Sequence, residues 1–212
     1  SEQQVFLMAE QANPEYRAVT VVGDLAQKLH SGESIDVLAC FPSRSIDYVR
    51  LSENLRQSKA PHLALFSACY RSVLHDKGVI PSSIVTGAVA SPSVGGPKVV
   101  AAASSEDVDA RILEDLDDVG PNETAAVVFP TLDLARNTHK RLKDSLARQM
   151  IEADLSSKVD LSRRFVRHFT SIEHVKGLEF DVVIVCDADK YDLTRPIDRN
   201  RLYVAITRPR RR

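Results

Sequence analysis

The chain reads as an α/β protein, a mostly parallel, doubly wound sheet with helices on both faces. Three observations predict this. AVTVVGD (18–24) and DVVIVCDA (181–188) are continuous apolar runs closing on Asp, the pattern of parallel strands buried on both faces with a loop at the carboxyl end. Strand-like and helix-like segments alternate through the second half. A length of 212 residues, 43% apolar and 27% charged, suits one ordinary folded domain, or one and a half.

The elements follow in order. Residues 1–12 read as an amphipathic helix with Val5, Leu7, Met8 and Ala12 on its apolar side. The run 18–24 is a buried strand, 34–40 a short helix, and IDYVRLS (46–52) a strand. Pro61 to Asp76 is a helix with Leu63, Leu65, Cys69 and Val73 among its apolar positions. VTGAVASPSVGGP (85–97) is rich in Gly, Pro and Ser and reads as a loop. KVVAAAS (98–104) is strand-like, and SSEDVDARILEDL opens on Ser and an acidic first turn before helical spacing sets in. TAAVVFP (124–130) is a strand, followed by a strongly amphipathic helix over 131–150 with Leu132, Leu134, Ala135, Leu142 and Leu146 inward. RFVRHFT (164–170) alternates as a strand, 181–188 is a buried strand, and 198–208 is a helix with Leu202, Val204, Ala205 and Ile206 inward. In such sheets ligands bind at the carboxyl ends of strands.

Composition excludes several classes. No apolar run approaches the roughly 20 residues that cross a bilayer, so no membrane partner is expected. SEQQVFLMAEQ lacks the basic segment and cleavage site of a signal peptide, and a cytoplasmic location is expected. Cys40, Cys69 and Cys186 are far apart and odd in number, which fits reduced thiols and offers no CxxC zinc pattern. His62, His75 and His139 lack ligand spacing, so no metal site is assigned. The net charge is -1, with 28 basic and 29 acidic residues, and neither demands nor forbids nucleic acid. The basic face of 140–149 reads as a solvated helix surface. RRFVRHF (163–169) fits a nucleic-acid groove and a half-wet strand equally well. The terminal RPRRR reads as a frayed end before a phosphate-binding arm.

Four short segments carry the functional signal. Each has a plain reading alone. In VKGLEFDVVIV (175–185), KGLEF is a tight turn with Glu179 solvated. In RLYVAITRPR (201–210), Arg208 complements a helix C-terminus. In VVGDLAQ (21–27), Gly-Asp is a common turn, and in LSENLRQS (51–58), Arg56 merely separates a strand from a helix. Taken together and in order, the four resemble motifs III, IV, V and VI of the UvrD/Rep-type superfamily-1 DNA helicases. The resemblance runs from about Val19 to Arg208, with the stretch 80–165 supported by pattern alone.

The resemblance implies a RecA-like fold and an ATP cleft between two such domains. Arg56 matches the motif IV arginine and Arg208 the motif VI arginine, both reaching the terminal phosphate as catalytic cations. Gln27 matches the motif III glutamine that senses that phosphate, and Asp24 lies in its Gly-Asp turn. Glu179 matches the motif V glutamate near the ribose, with Lys176 and Gly177 shaping the loop. On the nucleic-acid side, His30 stands where the family places base-stacking aromatics. Ser171-Ile172-Glu173 replaces the usual Thr-x-His, with His174 shifted by one. No GxxxxGK[ST] occurs, and the magnesium-binding Asp-Glu pair is missing.

The expectation is therefore a piece of a larger helicase. Residues 1–43 would be the tail of the first RecA-like domain and 44–212 the second, the P-loop lying outside the chain. ATP and Mg²⁺ would bind to the full-length protein and neither to this piece, which should be inactive alone. Single-stranded DNA and the N-terminal RecA-like domain are the implied partners. KGLEFD followed by VVIVCDADKYD also resembles the HelD-like branch, whose members act on RNA polymerase. The alternatives are such a polymerase-binding factor and a degenerate, non-catalytic RecA-like binding module.

Overall fold

Ala125–Phe129 form strand β1, and all five residues are buried. In the computed structural model the described residues are 29, 57, 60–74, 97–156, 163 and 165–212. The expectations for 1–12, 18–24, 34–40, 46–52 and 85–96 lie outside them. Among the described residues the sheet has three further strands, β2 (Ala153–Leu155), β3 (Arg167–Ser171) and β4 (Val182–Val185). Their order is β2-β3-β1-β4, and every pairing is parallel. Register sets Ala125 against Arg167 on one side and Val182 on the other.

The period of two along β1 divides its residues between two cores. Ala125, Val127 and Phe129 pack with α2 (Ser105–Asp117) and α3 (Leu132–Arg148), through Ile112, Leu116, Ala135, Leu142 and Leu146. Ala126 and Val128 face the other way, onto α4 (Ile172–Val175) and α5 (Pro196–Ile206), through Ile172, Val175, Val204 and Ala205. Helices thus cover both faces, as the sequence predicts. Each buried Val or Phe contributes about 1.5–3 kcal/mol over an exposed one.

Local chemistry fixes the helix ends. Ser104 Oγ accepts from Asp107 N at 3.2 Å, with Glu106 and Asp107 in the first turn of α2. Thr131 Oγ1 does the same for α3, from Leu134 N at 3.3 Å. Pro196 opens α5, where its missing N–H costs nothing. α1 (Pro61–Leu74) buries Leu63 but leaves Cys69 exposed. Among the described residues no helix is long and apolar enough to cross a membrane.

Three expectations need correction, and one strand went unmarked. KVVAAAS has no ladder partner among the described residues and is exposed, Val99 to 86%. Nothing in the sequence marked β2, a three-residue strand paired only with β3 among the described residues. In RRFVRHF, 166–169 are buried on both faces, so that half is neither a groove wall nor a half-wet strand, while Phe165 is 69% exposed. Arg167 donates to Val119 O at 2.9 Å, Glu123 O at 3.1 Å and Gly120 O at 3.3 Å. His168 is held between Ser156 Oγ and Arg163 O. Lastly, RPRRR is docked. Arg210 N donates to Phe180 O at 2.8 Å and Val183 N to Arg212 O at 3.0 Å, a parallel ladder along the strand start. Arg210 pairs with Asp181 at 2.9 Å and Arg211 with Glu123 at 2.6 Å.

Asp181 anchors this edge. It accepts from Thr124 N, Thr124 Oγ1 and Arg210 Nη2, each at 2.9 Å. Burial pushes its carboxyl up, but those hydrogen bonds and the Arg210 charge outweigh burial and hold it below the usual range. A depressed folded pKa gives stability that is present above the unfolded value of about 3.9 and is lost as pH falls through the folded one. Thermal melts between about pH 4 and pH 2 should therefore drop less steeply in Asp181→Asn than in the parent chain. Parallel slopes for the two proteins in that window would exclude Asp181 as the acid-sensitive anchor.

Candidate functional site

The site begins where β3 ends. Ser171 closes the strand, and the chain turns at once into α4, then Lys176, Gly177, Leu178 and Glu179, before Phe180 returns to the core. The apolar positions dictate this path. Ile172, Val175 and Phe180 are buried together, which leaves 176–179 projecting into solvent. Gly177 has φ +82, and a Cβ there would meet nothing within 4 Å, so its requirement is conformational rather than steric. Leu178 N donates back to Val175 O at 3.0 Å and closes the turn.

Arg208 meets this loop from the other side. It follows α5 and is only 1% exposed. Its guanidinium donates from Nη1 to Leu178 O at 3.2 Å, from Nε to Val204 O at 3.0 Å and from Nη2 to Thr207 Oγ1 at 2.9 Å. Its own carbonyl accepts from Phe180 N at 3.2 Å. The Lys176–Glu179 loop and the end of α5 are therefore joined through one side chain and one backbone bond.

Around this junction several polar groups find partners locally, while Tyr191 Oη and Arg201 Nε are buried without a hydrogen bond among the described residues. Ser171 is buried, its Oγ 3.0 Å from His174 Nδ1. Glu173 reaches Arg201 at 2.9 Å, and Arg201 lies 3.5 Å from Asp198. Tyr191 is buried beside them, and burial first, then Glu173, pushes its phenol up.

Two more segments reach the junction. Gln57, 1% exposed, donates from Nε2 to Pro209 O at 3.0 Å. Leu29 is buried in the cluster of Ile172, Val175, Phe180, Val204 and Ala205. α1 is seated alongside, with Tyr70 Oη donating to Arg199 O at 3.1 Å and its ring stacked 6.3 Å from Tyr203. Burial pushes the Tyr70 phenol up to about 12 against the opposing charge of Arg199. Arg71 lies 5.9 Å over the Tyr203 ring.

Of the residues singled out from sequence, Lys176, Gly177, Glu179, Ser171, His174 and Arg208 come together here. Asp24, Gln27, His30 and Arg56 lie outside the described residues. Sequence reasoning missed Gln57, Tyr70, Tyr203 and the Glu173–Arg201 pair. Only the position of Gln57 beside Arg56 could have drawn attention to it.

Arg208 also bears on stability. Arg208→Ala strips buried acceptors of their donor and opens a cavity, an expected loss of about 2–4 kcal/mol in urea unfolding of the chain. A loss below about 0.5 kcal/mol would show a side chain that is free in solution rather than held.

Comparison with known proteins follows this geometry. Residues 168–212 match the model of the UvrD-like helicase C-terminal domain, a span that takes in β3, the Lys176–Glu179 loop, β4, α5 and Arg208. A solved structure, the C-terminal domain of a possible DNA helicase from Lactobacillus plantarum WCFS1, aligns with 72% of this chain and 81% of its own. Its TM-score is 0.50 at 21% identity, a likeness of fold. No curated protein matches the chain. Both findings name a helicase domain, and neither supports the RNA-polymerase alternative. Residues 168–212, with the junction at Arg208, are therefore similar to a UvrD-like helicase C-terminal domain, and the parallel sheet with helices on both faces shares its fold with the solved domain.

Proposed function

We propose that the chain is the second motor domain of an ATP-dependent DNA helicase or translocase. The observation that carries this is the junction itself. Leu178 from the fifth motif is bonded to Arg208 of the sixth at 3.2 Å, and Gln57, next to the fourth-motif arginine, is bonded to Pro209 at 3.0 Å. On this reading residues 1–43 are the tail of the first RecA-like domain, and Leu29 packs from it into the second, 44–212.

The donor set fits the terminal phosphate of a nucleotide held by the neighbouring domain. A guanidinium is permanently protonated and planar, and its hydrogen bonds to phosphate are roughly twice as strong as those between neutral groups. Arg208 would exchange its neutral oxygen partners for phosphate oxygens. Arg56 would approach the same group, Gln27 would sense it beside Asp24, and Glu179 would face the ribose across the Lys176–Gly177 turn. ATP with Mg²⁺ supplies the free energy for movement along the strand. Single-stranded DNA would pass His30, Ser171 and His174. Arginines in this role accelerate phosphoryl transfer by about 10³- to 10⁵-fold.

The test uses the complete helicase. Arg208→Lys keeps the charge and loses the fork. DNA-stimulated ATP turnover should fall at least about a hundredfold while ATP affinity stays within about threefold. A near-normal turnover number would remove Arg208 from the mechanism. The 212-residue chain alone should hydrolyse no ATP, and DNA-stimulated turnover by it would overturn the two-domain reading.

A further inference from the structure

We propose that Gln57 is a positioning residue that sets the spacing of the two arginine-bearing segments, a role that rests on the motor reading above. The geometry is specific. The side-chain amide of Gln57 spans 152 residues of sequence to donate to Pro209 O at 3.0 Å, and it is 1% exposed. Arg56 precedes the donor residue by one position, and Arg208 precedes the acceptor residue by one. Consecutive Cα atoms are about 3.8 Å apart, so each arginine is one virtual bond from an end of this tether.

The acceptor side is rigid. Arg208 N donates to Ala205 O at 3.1 Å, Arg208 O accepts from Phe180 N at 3.2 Å, and Arg210 N donates to Phe180 O at 2.8 Å. Pro209 has no N–H, and its carbonyl is its one main-chain hydrogen-bonding group. Gln57 takes that carbonyl, so each main-chain polar group from Arg208 N to Arg210 N has a partner. A movement of Gln57 is thereby passed to the backbone that carries Arg208. The tether is neutral, and it fixes spacing without setting a carboxylate beside groups that must attract phosphate. Docking of α1 does not depend on it, because Tyr70 and Arg71 hold that helix to α5 separately.

The test compares Gln57→Met with Arg208→Lys in the complete helicase. Methionine has similar length and no N–H donor. In Gln57→Met, kcat for DNA-stimulated ATP hydrolysis should fall at least about tenfold, with KM for ATP changed by less than about threefold. Affinity for ADP–aluminium fluoride should fall by the same factor as kcat, because only a transition-state mimic requires both arginines in register. If Gln57→Met does not fold, Gln57→Leu carries the test, since it is uncharged and has no side-chain donor. Normal kcat in the Gln57 variant alongside a disabled Arg208→Lys overturns the tether and leaves the motor reading standing. Normal kcat in both variants overturns the motor reading and the tether with it. Equal losses in kcat, ground-state ATP affinity and melting temperature would make Gln57 a structural residue only and also overturn the proposal.

Discussion

A guanidinium taken out of water must find acceptors in the protein, because burying an uncompensated charge costs far more than a domain's whole stability margin. Arg208 meets that demand with Leu178 O, Val204 O and Thr207 Oγ1. The three acceptors come from two segments that the sequence separates by a strand and a helix. Satisfying Arg208 therefore forces the 176–179 loop, the last turn of α5 and the residues that follow it into one arrangement. The exposed side chains of Lys176 and Glu179 stand on a backbone that this bond fixes.

The sheet decides which end of the molecule holds such a junction. Parallel strands direct their carboxyl ends the same way, and the Ser171 turn leaves β3 at that end. Arg167 stands at the amino end of the same strand and is likewise held by carbonyls, those of Val119, Gly120 and Glu123. Arg167 thus clamps the amino end of β3, and Arg208, from beyond α5, clamps the loop that follows its carboxyl end. The clamp at the amino end closes the α2–β1 connection. The one at the carboxyl end closes a loop whose side chains face solvent, where ligands of open α/β sheets bind.

Much of this was legible in the sequence. The apolar period gave β1, α3, β4 and α5 close to their observed bounds, and Ser104 caps α2 where a Ser and acidic turn predicted a start. The resemblance singled out Lys176, Glu179 and Arg208, and the structure sets the loop of the first two against the third through Leu178 O. What escaped did so for physical reasons. Pattern reading assigns polar side chains to water, but Arg167 and His168 find neutral oxygens inside, so β3 is buried on both faces. A three-residue strand such as β2 has too few residues to show a period. The arginines of RPRRR looked like a loose end because Asp181 and Glu123, which receive them, are distant in sequence. Gln57 was invisible because a glutamine carries no signal until the carbonyl it reaches is known.

The contacts that join segments at this site fall into two kinds, and their energetics differ. Glu173 and Arg201 form an ion pair at 2.9 Å whose side chains are 38% and 33% exposed. Such a pair contributes about 0–1 kcal/mol and weakens with salt. It replaces the histidine expected at position 173 and ties the turn after β3 to α5 only loosely. The bond of Gln57 to Pro209 O is buried, and that of the buried Arg208 guanidinium to Leu178 O is part-buried. Breaking a buried hydrogen bond on one side leaves an unsatisfied group at a cost of about 1–3 kcal/mol, and salt does little to it. Register between the segments therefore depends on neutral acceptors in the interior, and the surface charges adjust around it. On the proposed motor reading this division is useful, because neutral oxygens can orient a guanidinium without cancelling its charge.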